Sequence, residues 1–215
     1  MLEATVTRIL QAVFGGGSNP GAKTATTILD KASIAIGATT ALVDCATIDL
    51  SGGKDALALT VKAKYNAGAA AGIKLHLVTS PTNSASGAHT AANHNTVMTD
   101  ANAHFVASEL IGLTIQNTTD GSSGIVTANA ATTVTVAALA GGTNNRWTTG
   151  DVYAIAGADY DTDDWYSWTL AFAAGAVLRE TKYYDVSPMY VKVLVENLDG
   201  GQTVTDVEVI SAIGA

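Results

Sequence analysis

The sequence predicts an all-β protein: an antiparallel β-sandwich, jelly-roll-like, carrying an inserted small barrel-like β module and an N-terminal arm. Three observations carry this expectation. Apolar and polar residues alternate with period two in successive short runs. Gly-, Asn- and Asp-rich turn signals separate those runs. The composition is also that of a strand protein, with 29 Thr and 21 Gly but only 3 Pro among 215 residues, which suits short strands joined by small-residue turns.

Taken in order along the chain, residues 1–37 read as an arm. Thr5–Phe14 is ambiguous between strand and short helix, and Gly15-Gly16-Gly17-Ser18-Asn19-Pro20-Gly21 breaks regular structure after it. Ile9, Leu10, Val13 and Phe14 are the apolar anchors by which such an arm grips a neighbouring subunit. The sandwich is assigned to residues 38–81 and 158–215. Its first strand is expected in Ala41–Leu50, with Ser51–Asp55 as a hairpin turn. Leu57, Leu59, Val61 and Ala63 then share one face of a half-buried strand, and Ile73, Leu75 and Leu77 share one face of the next. After the insert come Val177–Val186, the alternating Val191, Val193 and Val195, a turn at Asn197–Gly201, and a last strand over Thr203–Ile210. Val204 and Val207 have opposite parity, which predicts a bulge near Thr205-Asp206.

Residues 82–157 break this rhythm and read as the insert. A polar, Ala-rich stretch (Asn83–Asn102) precedes four very short strands at Leu113–Gln116, Gly124–Asn129, Thr132–Ala137 and Val152–Ile155. Asp-Gly and Gly-Gly turns between them fit a small closed β unit. Leu75–Ser80 and Asp159–Thr162 are then expected side by side in the parent sandwich.

Composition narrows the function. The 47% hydrophobic share includes 38 Ala against 16 Leu, 12 Ile and 19 Val, and charged residues are 14% where a soluble domain carries roughly a quarter. The net charge of −8 argues against phosphate-backbone binding, which needs clustered Lys and Arg. No run approaches the ~20 apolar residues of a membrane span, and the N-terminus lacks a secretory pattern. The expectation is therefore synthesis in the cytoplasm, with neither nucleic acid nor membrane as partner.

Candidate chemistry is sparse. Gly16–Thr24 superficially matches a phosphate loop, but Ala22 separates Gly21 from Lys23 and Pro20 removes a donor. Asp159, Asp161, Asp163 and Asp164 open like a calcium loop, yet Asp164 stands where Gly is required and Leu170 where a Glu is required. These four read as solvated residues where the insert rejoins the sandwich. His76, His89, His94 and His104 lack metal-ligand spacing, and no nucleophile elbow or zinc-protease motif occurs. Lone Cys45 reads as a buried small hydrophobe on a strand. Trp147 reads as the plug of the module, and Trp165 and Trp168 as core or interface residues, with sugar stacking as the alternative. No catalytic residue, cofactor or metal is expected.

Leu113–Gly124, Thr132–Val136, Gly141–Trp147 and Gly150–Tyr153 together resemble a small β module recurrent in tailed-bacteriophage virion proteins, with N-T-T-D-G-S-S and W-x-x-G-D-x-Y as its elements. The flanking chain is similar to β-sandwich proteins encoded among phage head and tail genes. The resemblance implies a non-enzymatic virion structural protein. A capsid decoration (cement) protein on the outer surface of the head is the leading expectation, bound to the major capsid protein or other virion proteins as a homo-oligomer, with a trimer favoured. A neck, tail or fibre part and a carbohydrate-binding β module are the alternatives.

Overall fold

The computed structural model describes residues 24–52, 54, 56–158, 160–185 and 190–214. The strands before the insert are β1 (Thr24–Ile34), β2 (Ile48–Asp49), β3 (Ala56–Lys64) and β4 (Ile73–Ser80). The insert supplies β5 (Ser84–Ala88), β6 (Val97–Thr99), β7 (Thr114–Asn117), β8 (Ser123–Ala130), β9 (Thr133–Val136) and β10 (Val152–Ala156). The chain ends with β11 (Asp161–Thr169), β12 (Val177–Asp185), β13 (Tyr190–Asn197) and β14 (Val204–Gly214). No helix among the described residues is long and apolar enough to cross a membrane.

Outside the insert, one sheet runs β1-β14-β3-β12 and the other β11-β4-β13-β2, every pairing antiparallel. Counted through these eight strands alone, the orders are 1-8-3-6 and 5-4-7-2. That is the two-sheet connectivity of a jelly roll. The core between the sheets is the alternating set expected from sequence: Leu57, Leu59, Val61 and Ala63 face Ile73, Leu75, Leu77, Val191, Val193 and Val195. On the solvent face of the first sheet, Thr60 and Thr181 sit opposite each other and share a 2.9 Å hydrogen bond, a use of the Thr-rich composition. The predicted irregularity falls between Thr205 and Glu208, with Asp206 at φ 50°.

Several expectations are corrected. Residues 24–34 belong to the sandwich, not to an arm: Ile28, Leu29 and Ile34 are buried, and a register shift between Thr27 and Leu29 lets two successive side chains turn inward. Ala41–Leu50 is a 3-10 turn (Leu42–Asp44) followed by the two-residue β2, so Cys45 is buried but not on a strand. Ser51–Asp55 does not close a hairpin, because β2 and β3 lie in different sheets. The rejoining point is as expected: Asp161 in β11 pairs with Thr79 of β4, which sets the two ends of the insert side by side in the sandwich.

The outer face of the second sheet is covered as well. Leu42 from the 3-10 turn packs with Val78 and Tyr160, with Tyr190 and Leu194 against them. Lys192 is consequently only 4% exposed; its Nζ donates to Leu42 O at 2.9 Å and sits 5.3 Å from the Tyr160 ring centre, and burial lowers its pKa. This cover explains why polar-out alternation fails at the β4–β13 pair Val78↔Lys192.

The insert builds its own six-stranded sheet, β5-β10-β7-β8-β9-β6, curled into a half-barrel. Thr90 N donates to Thr99 O at 2.7 Å, bringing the ends of β5 and β6 together. Both strands arise from the polar stretch Asn83–Asn102, whose small Ala, Ser and Gly residues carry no period-two apolar signal. Inside the half-barrel Trp147 is fully buried among Met98, Ile115, Val134 and Ile155. The polar motif residues pin that tryptophan. Asn117 Nδ2 donates to Asp151 Oδ2 at 2.7 Å and to Arg146 O at 3.1 Å, and Asp151 Oδ2 also accepts from Thr148 N. Asp120 accepts from Asn144 N and Asn145 N. A Cβ on Gly142 would meet Asp120 Oδ2 at 2.3 Å, so glycine is required there.

Candidate interaction surface

Each sandwich sheet ends on a strand with one partner, and two of these ends face each other. β12 pairs with β3 and β11 with β4, which leaves the far edge of each unpaired among the described residues. On the opposite flank, Ala46 N donates to Ile28 O at 2.7 Å and links the two sheets. The flank between β11 and β12 is lined instead by side chains. Tyr65, Tyr166, Trp168, Phe172 and Tyr184 gather there, five of the 13 aromatic residues of the chain.

Alternation along β12 decides which side chains enter the flank. Leu178, Glu180, Lys182 and Tyr184 point toward the core side, while Val177, Arg179, Thr181 and Tyr183 face solvent. Lys182 Nζ donates to Tyr166 Oη at 2.6 Å and lies 4.3 Å from that ring centre, with Trp168 and Tyr184 beyond it at 5.6 and 5.8 Å. Tyr166 and Tyr184 meet edge to face at 5.2 Å, as do Tyr65 and Phe172. Burial first, and the neighbouring Tyr166 second, push the Tyr184 hydroxyl up to about 12. Glu180 accepts from Ala171 N at 3.3 Å and holds the β11–β12 connection. Inward-pointing charges on an edge strand discourage indiscriminate strand addition. On β12, Tyr183 at 75% and Val177 at 56% are the most exposed large apolar groups. The arrangement offers aromatic anchors, an unpaired backbone edge and a fixed cation, which are means of binding a protein surface.

The sequence-derived candidates distribute as follows. Ile9, Leu10, Val13 and Phe14, and the loop over 16–23, lie outside the described residues. His89 is buried in the module: its Nδ1 accepts from Thr99 N at 2.9 Å and its Nε2 donates to Ala92 O at 3.1 Å. His94 Nδ1 accepts from Val97 N, and His76 pairs with Glu196 at 2.8 Å. His104 lines a cleft between β5 and the segment 100–110. No group of three or more His, Cys, Asp or Glu among the described residues is placed to hold a metal ion. Cys45 Sγ accepts from Val193 N at 3.2 Å, and burial pushes its thiol up to about 11. Trp147 offers no face for stacking, and Trp168 packs against the main core. The aromatic flank is assembled only by the pairing of β11 and β12 with different sheets. Its signal is the pair Trp165-Tyr166-Ser167-Trp168 and Tyr183-Tyr184, far denser in rings than the rest of the chain.

The fold and its open flank define an antiparallel jelly roll with an inserted half-barrel. No family model matches the chain, and no curated protein matches it. Among solved structures it is similar to VP17, a capsid protein of bacteriophage P23-77, at 11% identity over 91% of this chain and 99% of that one. The TM-score is 0.19, too low to establish a shared fold.

Proposed function

We propose that the chain is a structural protein of a tailed-bacteriophage virion, without enzymatic activity, bound as a decoration protein to the assembled lattice of the major capsid protein. The observation that supports this reading is the aromatic flank, where two strand edges unpaired among the described residues lie beside exposed Val177 and Tyr183 on β12. The motif resemblance of the half-barrel to phage virion modules supports the same reading. So does the jelly roll, an architecture used by viral capsid and lectin domains, although fold alone does not determine role.

The mechanism is linkage. A protein that binds the assembled lattice better than free capsid subunits stabilises the shell by the difference in binding free energy. A stable contact needs about 800 Å² from each partner, with buried aromatic anchors supplying most of the energy. In this reading β12 and the N-terminal anchors Ile9, Leu10, Val13 and Phe14 contribute two separate parts of that contact, and copies of the chain associate as a homo-oligomer. The double substitution Val177→Asp/Tyr183→Ala tests the β12 edge of the flank. Because both residues are exposed, the thermal midpoint of the free protein should move little, while attachment to stripped particles weakens at least tenfold. Attachment equal to the unsubstituted protein removes that edge from the contact. A neck, tail or fibre position uses the same surface and differs in copy number.

A further inference from the structure

The half-barrel holds a cleft of about 680 Å³ between β5, the irregular segment 100–110 and Tyr160, within the size range of small-ligand sites. Its base is specialised. Tyr153 Oη donates to Asp100 Oδ2 at 3.0 Å, Asp100 Oδ1 accepts from Asn102 N, and both side chains are buried. They lie directly on Gly87, where a Cβ would come within 2.3 Å of Asp100 Oδ2 and 2.7 Å of Tyr153 Oη. Only glycine on β5 leaves room for this pair. Phe105 forms one wall, edge to face with Tyr153 at 6.2 Å. Glu109 forms another, with a buried Oε1 that no group among the described residues hydrogen-bonds. Desolvation raises the Glu109 carboxyl above its ordinary range.

A buried acceptor without a donor is costly, and most such groups in native proteins are satisfied by something. Ionised carboxylates only accept hydrogen bonds, whereas hydroxyls and amides both donate and accept. The rim supplies the second kind through Ser84, Ser86, Thr90 and Asn102. The matching ligand therefore carries several O–H groups, one apolar face for the Phe105 ring, and no negative charge, since the chain is already at −8. We propose that this cleft binds a neutral saccharide, with a sugar ring against Phe105 and hydroxyls donating to Asp100 and Glu109. The site is separate from the flank between β11 and β12 and does not depend on the virion reading.

The full chain, without particles, is applied to an array of immobilised neutral glucose, galactose and N-acetylglucosamine oligomers, with Lys- and Arg-containing peptides as contrast. At least one neutral oligosaccharide should be retained. Glu109→Gln, which keeps the side-chain shape, and Phe105→Leu, which keeps apolar packing without the ring, should each weaken that retention at least tenfold. Their circular-dichroism spectra should match the unsubstituted chain. Retention of no saccharide, retention of cationic peptides alone, or saccharide binding that survives either substitution overturns the assignment. Because no particle enters the assay, its outcome is independent of whether the protein attaches to a virion.

Discussion

Replacing Ser84–Ala156 with Asn-Gly should leave a folded sandwich. Gly157 N donates to Asn83 O at 2.8 Å, so two linking residues place that hydrogen bond at the i to i+3 spacing of a β-turn. Asn-Gly is the preferred pair for a two-residue hairpin. The main core and the cluster around Tyr160 contain no residue between 84 and 156, so excision opens no cavity in either. The Asn83 side chain stays, with its hydrogen bonds from Thr47 at 3.0 Å and Tyr160 at 2.7 Å. What is lost is the cover of Gly112 over Val43 and the cleft wall beside Tyr160. Exposing on the order of 50–100 Å² of apolar surface costs about 1–3 kcal/mol. Shortening the connection lowers its closure entropy by about 2–3 kcal/mol in the opposite direction. The sandwich should therefore unfold cooperatively, with a midpoint within roughly 10 °C of its transition in the full chain. Thermal unfolding followed by near-ultraviolet circular dichroism reads this directly. A non-cooperative, dye-binding product would show that the insert is part of the sandwich core and refute the reasoning.

The module should respond to its own residues. Trp147→Ala removes the largest side chain of its core, which costs about 3–5 kcal/mol, and should lower the module transition while leaving that of the sandwich in place in a calorimetric scan. Asp151→Ala strips one partner from buried Asn117 and one from Thr148, a loss of about 1–3 kcal/mol read in the same transition. Backbone N–H groups of Ala71, Gly201, Ala70 and Gln202 hold the Asp199 carboxyl down to about 2. Its folded pKa is depressed, so its contribution is complete above the unfolded value of about 3.9 and is lost as pH falls from about 4 to about 2. Asp199→Asn should flatten that acid limb in melts from pH 2 to 6, and an unchanged slope would contradict the assignment. Cys45, with its thiol near 11 and buried, should resist thiol reagents at pH 8 and react once in denaturant; fast reaction of the native protein would show that the 3-10 turn opens readily. Deleting residues 2–22 should leave the melting of the free protein nearly unchanged while weakening particle attachment at least tenfold, and a large fall in melting temperature would place that segment in the fold.

How much was legible depended on side-chain size. Where Leu, Ile and Val alternate, as in β3, β4 and β13, the sequence shows both the strand and its buried face, because each large side chain must leave water. The opposite parity of Val204 and Val207 was enough to place a bulge. β5 and β6 were invisible because Ser84–Ala88 and Val97–Thr99 offer too little apolar periodicity over too few residues. β1 was hidden behind the Gly15–Gly17 run, whose turn signal overshadowed Ile28 and Leu29. The cleft was illegible for a different reason. Gly87, Asp100, Phe105, Glu109 and Tyr153 meet only after the sheet has curled, and no local spacing announces a contact across that distance. The motif residues Asn117, Asp120 and Asp151 were visible as a pattern, and their geometry assigns them a structural task, holding Trp147 and the turn before it.

The central claim, that this chain is a decoration protein of a phage head, is tested most directly by quantitative mass spectrometry of purified particles. Its copy number is read relative to the major capsid protein. Decoration predicts hundreds of copies per particle, lost together with shell stability when the chain is omitted. Its absence from washed particles would contradict the account, and a count of roughly three to a dozen would move it to the neck, tail or fibre.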